Sequence, residues 1–346
     1  MVKALSKNME RGSMSQRKCS WEKFRNSSIC ITGATGLIGS HFVKRIIELN
    51  KSDDLNCSLL LLVRSVKKAQ KIFSDHDELR LISWDMEKDI PEIDYKIDYF
   101  VHAASPTSSK GFTDCPVEVI EAIYNSAKNV LLFSMSHRVK KVVLLSTMEV
   151  YGEISHKVSE NEFGSLDPMV VRNCYPESKR LAECLFASYA NEYNVSACVL
   201  RLAQTFGSGV SRSDERVFAE FARNAISGEN IILYSDGSTK NPYLSLDDAI
   251  NAIAFILLYG KAGEAYNAAN NETYCSISEM AESVLEMHGV EGARVIYQTD
   301  TERSKAFRKA SNLDLDTRKL EALGWTPHDG LEEMYSSMIS SWKSSN

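Results

Sequence analysis

Six short apolar runs, each followed by a helix-length amphipathic stretch, constrain the fold of this chain more than any other feature. Runs such as Lys141–Ser146 (KVVLLS) are apolar at successive positions, as a strand must be when helices cover both of its faces. Right-handed connections between such strands give a twisted parallel sheet. We therefore expect an α/β protein with a doubly wound parallel sheet. The predicted strands are Ile29–Thr32, Ser58–Val63, Leu79–Ser83, Tyr99–His102, Lys141–Ser146 and Ala197–Leu202.

The first predicted strand runs directly into a glycine-rich turn and a helix, in the sequence CITGATGLIGSH of residues 30–41. Gly33 and Gly36 permit a tight turn and close approach of the backbone to a pyrophosphate, and Gly39 lets the helix pack on the strand. The helix N-terminus then offers N–H groups to the phosphates. This segment predicts a dinucleotide site on a sheet of the Rossmann type. The residues expected to contact the cofactor here are Gly33, Thr35, Gly36, Leu37, Ile38 and Gly39.

The end of the second predicted strand bears on the choice of cofactor. It leads into Arg64, whereas an Asp or Glu at this point would bond the adenosine ribose hydroxyls. Arg64, with Lys67 and Lys68 after it, suits a 2′-phosphate and favours NADP, although a solvated basic turn explains the same residues. Asp85, after the third strand, is placed either to meet the adenine edge or to cap a helix. The predicted cofactor is therefore NAD or NADP.

The fourth predicted strand ends in VHAASP, residues 101–106, at the carboxyl edge of the sheet. Ligands bind at this edge in open α/β folds. The small residues Ala103, Ala104 and Ser105 would let the cofactor lie against the backbone. His102 is interpreted as a packed residue that supports the site rather than as a catalytic one.

A tyrosine and a lysine four residues apart, Tyr175 and Lys179 in CYPESKR, indicate the chemistry. On a helix they share one face, so the ammonium can lower the phenol pKa and leave a phenolate that accepts a proton near neutral pH. A lone pair at this spacing occurs by chance, and its companions therefore matter. The run KVVLLS ends in STMEVYG at the carboxyl edge of the sheet, where Thr147 can hydrogen-bond a reacting hydroxyl.

Six segments occur in the order of a known family: GATGLIG, HAAS, a helix with Asn125 and Asn129, STMEVYG, YPESK and RLAQTFG. Together they resemble the extended short-chain dehydrogenase/reductases of the NAD-dependent epimerase/dehydratase family, over roughly residues 28–342. The resemblance implies a nucleotide-sugar enzyme that oxidises the sugar at C4 to a 4-keto intermediate. Tyr175 would act as base, Lys179 would assist it, and Glu149 would serve the second step. A homodimer through the helices that carry Asn125 and Tyr175 is also implied.

These residues leave the branch of the family open, because some positions depart from the family pattern. Glu149 together with VRNCYPESKR resembles UDP-glucuronate decarboxylases. Met148 stands where sugar 4,6-dehydratases of one branch carry an acid, Gln204 replaces a common Asn, and Lys240 begins the segment KNPY where many relatives have an Arg. Decarboxylation, elimination and epimerisation all stay open. The residues that the resemblance places at the substrate are Ser105, Gln204, Arg216, Lys240 and Arg308.

Two other functions stay open on the sequence. Arg64 and the altered nucleotide contacts also fit a simple NADP-dependent ketone or aldehyde reductase. A non-catalytic dinucleotide-binding protein on the same fold has no need for Thr147, Tyr175 and Lys179 together, so the presence of all three argues against it.

The sequence changes character after about Phe206, where loops become longer and glycines more frequent. We expect an N-terminal arm at residues 1–27 and a dinucleotide-binding Rossmann domain at 28–206. Residues 207–346 are expected to form a smaller C-terminal α/β cap domain, mainly for substrate and interleaved with the sheet. Helices are predicted over Asp247–Leu258, Ser276–His288 and Leu331–Trp342.

Composition excludes several other classes. Lys and Arg number 40 against 46 Asp and Glu, a net charge of −6, which argues against nucleic acid as a partner. The eight cysteines are scattered without metal-ligand spacing, so no metal is expected. The polar, basic first 28 residues lack the apolar run of a signal peptide, and the longest apolar runs are too short for a membrane span. We expect a cytoplasmic protein with no membrane partner.

Overall fold

A computed structural model describes residues 21–298 and 312–344. Within these ranges a seven-stranded sheet lies at the centre, in the order β11-β7-β5-β4-β1-β2-β3, and every neighbouring pair is parallel. The strands of the chain are β1 Ser28–Thr32, β2 Ser58–Val63, β3 Arg80–Ser83, β4 Tyr99–His102, β5 Lys141–Thr147, β6 Lys157–Val158, β7 Ala197–Leu202, β8 Gln204–Phe206, β9 Ile231–Leu233, β10 Lys240–Ser245, β11 Ala265–Ala268, β12 Asn270–Ser276, β13 Val295–Tyr297 and β14 Asp314–Leu315.

Helices cover both faces of this sheet. They are α1 Leu37–Ser52, α2 Val66–Ile72, α3 Gly111–Asp114, α4 Pro116–Ser136, α5 Cys174–Tyr193, α6 Val217–Ser227, α7 Leu246–Tyr259, α8 Ile277–His288, α9 Arg318–Glu321 and α10 Leu331–Ser344. Short 3-10 turns lie at Trp21–Phe24, Met148–Tyr151 and Val171–Asn173. In the described ranges no helix has both the length and the apolar character that crossing a membrane requires.

The apolar runs form strands because both of their faces are buried. In β1, Ile29 and Ile31 point into the core beneath α1 and α7, whereas Cys30 points into the core beneath α4 and α5. The predicted doubly wound parallel sheet of the Rossmann type is confirmed, and the six predicted strands occur within one residue of their expected bounds.

The seventh strand was not predicted. β11 (AYNA) follows α7 and pairs in parallel with β7 at one edge of the sheet. Its alanines and single asparagine carry little strand propensity, so the strand forms because Tyr266, Asn267 and Ala268 are buried where it docks. The chain after Phe206 therefore returns to the main sheet.

A second layer of structure lies beyond the carboxyl edge of the sheet. In the described residues, β10 pairs with β12 antiparallel and with β8 parallel, and β9 pairs with β13. These strands and α6, α8 and α10 enclose a separate apolar core in which the Phe206 ring stacks on Phe218 at 4.5 Å. The predicted helices at 247–258, 276–288 and 331–342 correspond to α7, α8 and α10.

A buried ion pair ties α5 to the sheet beneath the carboxyl edge. Arg201 of β7 donates from Nη2 to Glu183 Oε2 at 2.7 Å and from Nε to both Glu183 oxygens at 3.1 Å. Nη1 of Arg201 donates to the Tyr151 hydroxyl at 2.9 Å and to the Glu160 carbonyl at 3.0 Å. The Ser146 hydroxyl also donates to Glu183 Oε1. Since both charges are nearly excluded from water, each one depends on the other.

Substituting Glu183→Ala should lower the free energy of unfolding by about 3–5 kcal/mol, because it leaves the Arg201 guanidinium buried without its counter-charge. Urea unfolding followed by circular dichroism measures the change. Glu192→Ala, at an exposed position of the same helix, is the matched control and should change stability by no more than about 0.5 kcal/mol. Equal losses in the two variants would contradict the assigned role of the pair.

Candidate active site

The glycine-rich turn after β1 lies against the end of β4. Gly33 has φ +68°, and a Cβ built on it would lie 2.6 Å from the carbonyl carbon of Ala103 and from the nitrogen of Ala104. A Cβ on Gly39 would lie 2.3 Å from the Gly33 carbonyl oxygen. No side chain fits at either position without movement of the backbone, so β1, α1 and β4 converge on one narrow cleft.

The start of α1 fits a pyrophosphate. Gly36 precedes the helix without a side-chain cap, and the first turn contains no acidic residue. The N–H groups of that turn are thus available to an anion, and the helix dipole favours negative charge there. Thr35, Leu37 and Ile38 are half-buried along the same rim. The predicted dinucleotide residues of this segment therefore lie together and suit a nicotinamide dinucleotide such as NAD.

The residues predicted for the adenosine end lie at the rim of the sheet. Arg64, Lys67 and Lys68 are exposed after β2, where Ser65 caps α2 by accepting from the N–H of Lys68 at 3.3 Å. Asp85 is also exposed and accepts from the N–H of Glu87 at 3.3 Å, so it closes a turn rather than capping a helix. The preference of Arg64 for a 2′-phosphate stays a prediction.

His102 lies beneath the cleft as a neutral, packed residue. Its Nδ1 is 2.8 Å from the Thr32 hydroxyl, which itself accepts from the N–H of Ala104 at 3.1 Å. Burial, with a smaller effect from the Lys179 charge, lowers the pKa of His102 to about 3. The interpretation of His102 as a supporting residue fits this environment, in which it joins β1 to the end of β4. Ala103, Ala104 and Ser105 are half-buried at the mouth of the cleft.

Tyr175 is 8% exposed near the start of α5, beside the end of β5. Burial raises the pKa of its phenol well above the ordinary value, and the Glu149 carboxylate raises it further. A hydrogen bond with the Thr147 hydroxyl and the charge of Arg172 act in the opposite direction. The spacing of Tyr175 and Lys179 predicts that the Lys179 ammonium lowers this pKa. In the structure the phenol pKa is raised instead, and the neighbouring cation that acts on it is Arg172.

Lys179 lies one turn further along α5 and is almost fully buried. Its Nζ donates to the Leu145 carbonyl of β5 at 2.9 Å. Burial lowers the pKa of Lys179 from 10.5 to about 8, although the Glu183 carboxylate opposes the shift. Lys179 is thus a charged group of α5 held against the end of β5 at a cost in stability, which is common at functional sites.

Glu149 lies in the 3-10 turn that follows β5, with its side chain 25% exposed. The N–H of Glu149 donates to the Thr147 hydroxyl at 3.2 Å, which fixes that oxygen as an acceptor from the turn. Nη1 of Arg172 lies 2.6 Å from Glu149 Oε2. Met148, the preceding residue, is buried in the core instead.

Sequence reasoning missed Arg172 and Phe112. The Phe112 ring of α3 stacks on the Tyr175 ring with centroids 4.4 Å apart and planes at 11°. The Arg172 guanidinium lies over the Phe112 ring, 5.3 Å from its centroid. Arg172 directly precedes the Tyr-x-x-x-Lys helix, so its position in the sequence was the signal that could have identified it.

The residues predicted for the substrate are more dispersed. Ser105 is half-buried at the cleft, and Gln204 is half-buried in β8 opposite Tyr243. Arg216 pairs with Asp214 at 2.7 Å, and Lys240 pairs with Glu279 at 3.6 Å. Both cations therefore already have a carboxylate partner. Arg308 lies outside the described residues.

The geometry agrees with the comparison to known proteins. The family described as the NAD dependent epimerase/dehydratase family matches residues 29–269. The chain belongs to this family. Among curated relatives, UDP-glucuronic acid decarboxylase 1 of Xenopus tropicalis is 27% identical over 312 residues, covering 88% of this chain and 69% of the relative.

Two solved structures of named nucleotide-sugar enzymes share the fold. UDP-glucose 4-epimerase of Thermotoga maritima, solved with UDP-glucose, has a TM-score of 0.76 at 21% identity and covers 92% of this chain and 99% of its own. The dTDP-glucose 4,6-dehydratase of Bacillus anthracis, solved with NAD, has a TM-score of 0.74 at 19% identity and covers 92% of this chain and 97% of its own.

Replacing Lys179 with methionine should stabilise the cofactor-free protein at neutral pH. Below about pH 8 the ammonium is charged in the folded and the unfolded chain, so folding bears the full cost of burying the charge, roughly 3 kcal/mol. As pH rises from about 8 towards 10.5, the folded protein releases this proton before the unfolded chain does, and the cost disappears.

The measurement is the free energy of unfolding of Lys179→Met and of the wild type in urea across this pH range. We expect the advantage of the variant to be largest near neutrality and to narrow as pH rises. Lys128→Met, on the exposed face of α4, should show no such pH dependence. A Lys179→Met protein that is less stable than the wild type at neutral pH would show that the buried ammonium is not costly.

Proposed function

We propose that this protein acts on a nucleotide sugar, oxidising it at C4 and then removing the C6 carboxylate as carbon dioxide, as a UDP-glucuronate decarboxylase does. The observation that carries this proposal is the grouping of Thr147, Glu149 and Tyr175 at the carboxyl end of β5, next to the glycine-rich cleft. The relatives named UDP-glucuronic acid decarboxylase support this choice within the family.

The first step needs a base at the sugar hydroxyl. Bound NAD would supply the acceptor for the hydride of C4 and return it at the end. Tyr175 would take the proton of the C4 hydroxyl, a role that general bases fill in hydride-transferring sites. Thr147 accepts from the N–H of Glu149, so its own hydrogen is available to the phenol oxygen and stabilises the phenolate. Lys179, whose Nζ donates to the Leu145 carbonyl, would supply positive charge beside the bound cofactor.

The second step follows from the ketone. A 4-keto group makes the C6 carboxylate a β-keto acid, so the C5–C6 bond breaks, carbon dioxide leaves, and its electron pair stays on C5 as an enolate. A proton then returns to C5. Glu149, 25% exposed in the turn after β5, is the carboxyl group that we assign to this proton transfer.

A reductase that uses NADPH is the second candidate, because Arg64 is exposed at the end of β2 without an acidic residue beside it in the sequence. Such an enzyme would consume its cofactor with each turnover. The proposed enzyme would recycle it instead, so the two functions differ in a measurable quantity.

Two substitutions should separate the two steps. Tyr175→Phe should lower turnover of UDP-glucuronate by about 10²–10⁴-fold, because no group then accepts the hydroxyl proton. Glu149→Gln should leave the formation of reduced cofactor close to the wild-type rate and slow carbon dioxide release by about 10²-fold. Absorbance of the reduced cofactor and mass spectrometry of the product measure the two steps.

Tyr193→Phe, an exposed tyrosine of the same helix, is the control and should behave as the wild type. The same assay with UDP-glucose and dTDP-glucose distinguishes decarboxylation from loss of water and from epimerisation, which changes no mass. Stoichiometric oxidation of NADPH by a ketone or aldehyde, with no nucleotide sugar present, would contradict the proposal in favour of the reductase.

We also propose that two copies associate through α4 and α5, as the family resemblance implies. The outer face of α4 exposes apolar side chains at helical spacing, and α5 beside it exposes Leu181 at 43%. The α4 residues are Val117, Ile120, Leu132 and Met135. Such a face on two adjacent helices fits a symmetric contact with a second copy.

Sedimentation of the wild type should give the mass of two 38.8 kDa chains. Leu181→Glu combined with Ile120→Glu should shift the protein to one chain, because each charge would be buried in the contact. Val290→Glu, an exposed apolar residue outside these helices, should leave the mass unchanged. A wild-type protein that sediments as a single chain would rule the dimer out.

A further inference from the structure

Arg172 joins two segments that both reach the catalytic tyrosine. It lies in the turn Val171–Asn173, which leads directly into α5, while Glu149 lies in the turn that follows β5. Their 2.6 Å contact therefore bridges the two ends of the site. The side chains are 35% and 25% exposed, so the pair is only partly screened by water.

A second contact holds the guanidinium in place. Arg172 lies 5.3 Å from the Phe112 ring centroid, and that ring stacks on Tyr175. The Phe112 carbonyl in turn accepts from the Cys174 thiol at 3.4 Å. Arg172 is thus positioned by a carboxylate and by an aromatic face, and its position relative to Tyr175 is set by both.

Glu149 presents a conflict that this arrangement resolves. A carboxylate placed to move a proton at the sugar also stands beside a phenol that must itself become negative. A neighbouring carboxylate disfavours ionisation of the phenol. A cation bound to that carboxylate offsets its charge and favours the phenolate. The titratable and charged groups around Tyr175 are Glu149, Arg172, Cys174, Lys179 and, beyond Lys179, His102.

We propose that Arg172 is a positioning residue that holds Glu149 in place and shields Tyr175 from its negative charge, so that one site can contain both a carboxylate and a phenolate. The inference rests on the proposed function, since it takes Tyr175 as the base. The opposite effects of Glu149 and Arg172 on the pKa of Tyr175 agree with the geometry.

The test follows the pH dependence of the first oxidation, read as reduced cofactor in a single turnover of the NAD-loaded enzyme with UDP-glucuronate. Arg172→Gln should move the rising limb of the single-turnover rate constant about one pH unit higher and reduce the rate below that limb about tenfold. Arg172→Lys, which keeps the charge, should stay near the wild type. Adding Glu149→Gln to Arg172→Gln should move the limb back, because the charge to be shielded is then absent.

Three outcomes decide the matter. A limb that Arg172→Gln leaves unmoved, in an enzyme that turns over and needs Tyr175, would overturn this inference and leave the proposed function standing. A shift that Glu149→Gln does not reverse would mean that Arg172 acts only on local structure. Absence of turnover in the wild type would overturn the proposed function and this inference with it.

The contact between Glu149 and Arg172 can also be tested without turnover. Glu149→Gln, Arg172→Gln and the double variant form a cycle of unfolding free energies in urea, and a paired contact should give a coupling that differs from zero. Arg294→Gln, at an exposed position away from the site, is the matched control in both measurements and should behave as the wild type. Zero coupling would contradict the paired geometry itself.

Discussion

The close contact between the Gly33 turn and the backbone of Ala103 and Ala104 is the constraint on which the rest of the site depends. It lies between β1 and β4, where the chain crosses from the β3 edge to the other half of the sheet. Ligands bind at such a switch point in doubly wound folds. A contact that leaves no space for a Cβ fixes the two halves of the sheet against each other. The N-terminus of α1 and the end of β5 therefore share one cleft.

Strand register then brings the proposed catalytic residues at the end of β5 into that cleft. His102, the last residue of β4, pairs with Leu144 of β5, so Ser146 and Thr147 extend beyond the end of the neighbouring strand. The Ser146 hydroxyl donates to Glu183, whose carboxylate binds the buried guanidinium of Arg201. The polar groups beneath the site are therefore bonded to one another, which gives the end of β5 a defined position.

Much of this could be predicted from the sequence, because buried parallel strands and a glycine turn have strong local signals. The strands were found by their unbroken apolar runs, and Gly33 by its place after the first of them. β11 was not predicted because its burial comes from tertiary contact, whereas only Tyr266 among its four residues AYNA favours a strand. The local sequence pattern also does not reveal which side chains far apart in the sequence contact each other.

The electrostatics of the site illustrate that limit. The spacing of Tyr175 and Lys179 placed both on one helix but did not reveal that Lys179 turns to the Leu145 carbonyl. Arg216 and Lys240 were expected to hold phosphates from their positions in the sequence. In the fold each has a carboxylate partner, so a phosphate would have to compete for it. The partner of a charged side chain depends on which residues lie near it in the fold. Spacing along the chain does not give that information.

Under the proposed function, the turn after β5 suits decarboxylation better than loss of water. Successive residues of a 3-10 turn point in directions about 120° apart, so Met148 packs into the core while Glu149 stays half-exposed. In the described part of the chain, Glu149 is the carboxylate whose charge acts on Tyr175. A departing hydroxide needs a proton from an acid, in addition to the group that acts at C5. Carbon dioxide leaves as a neutral molecule and needs no such acid, so a site with one carboxyl group suits its release.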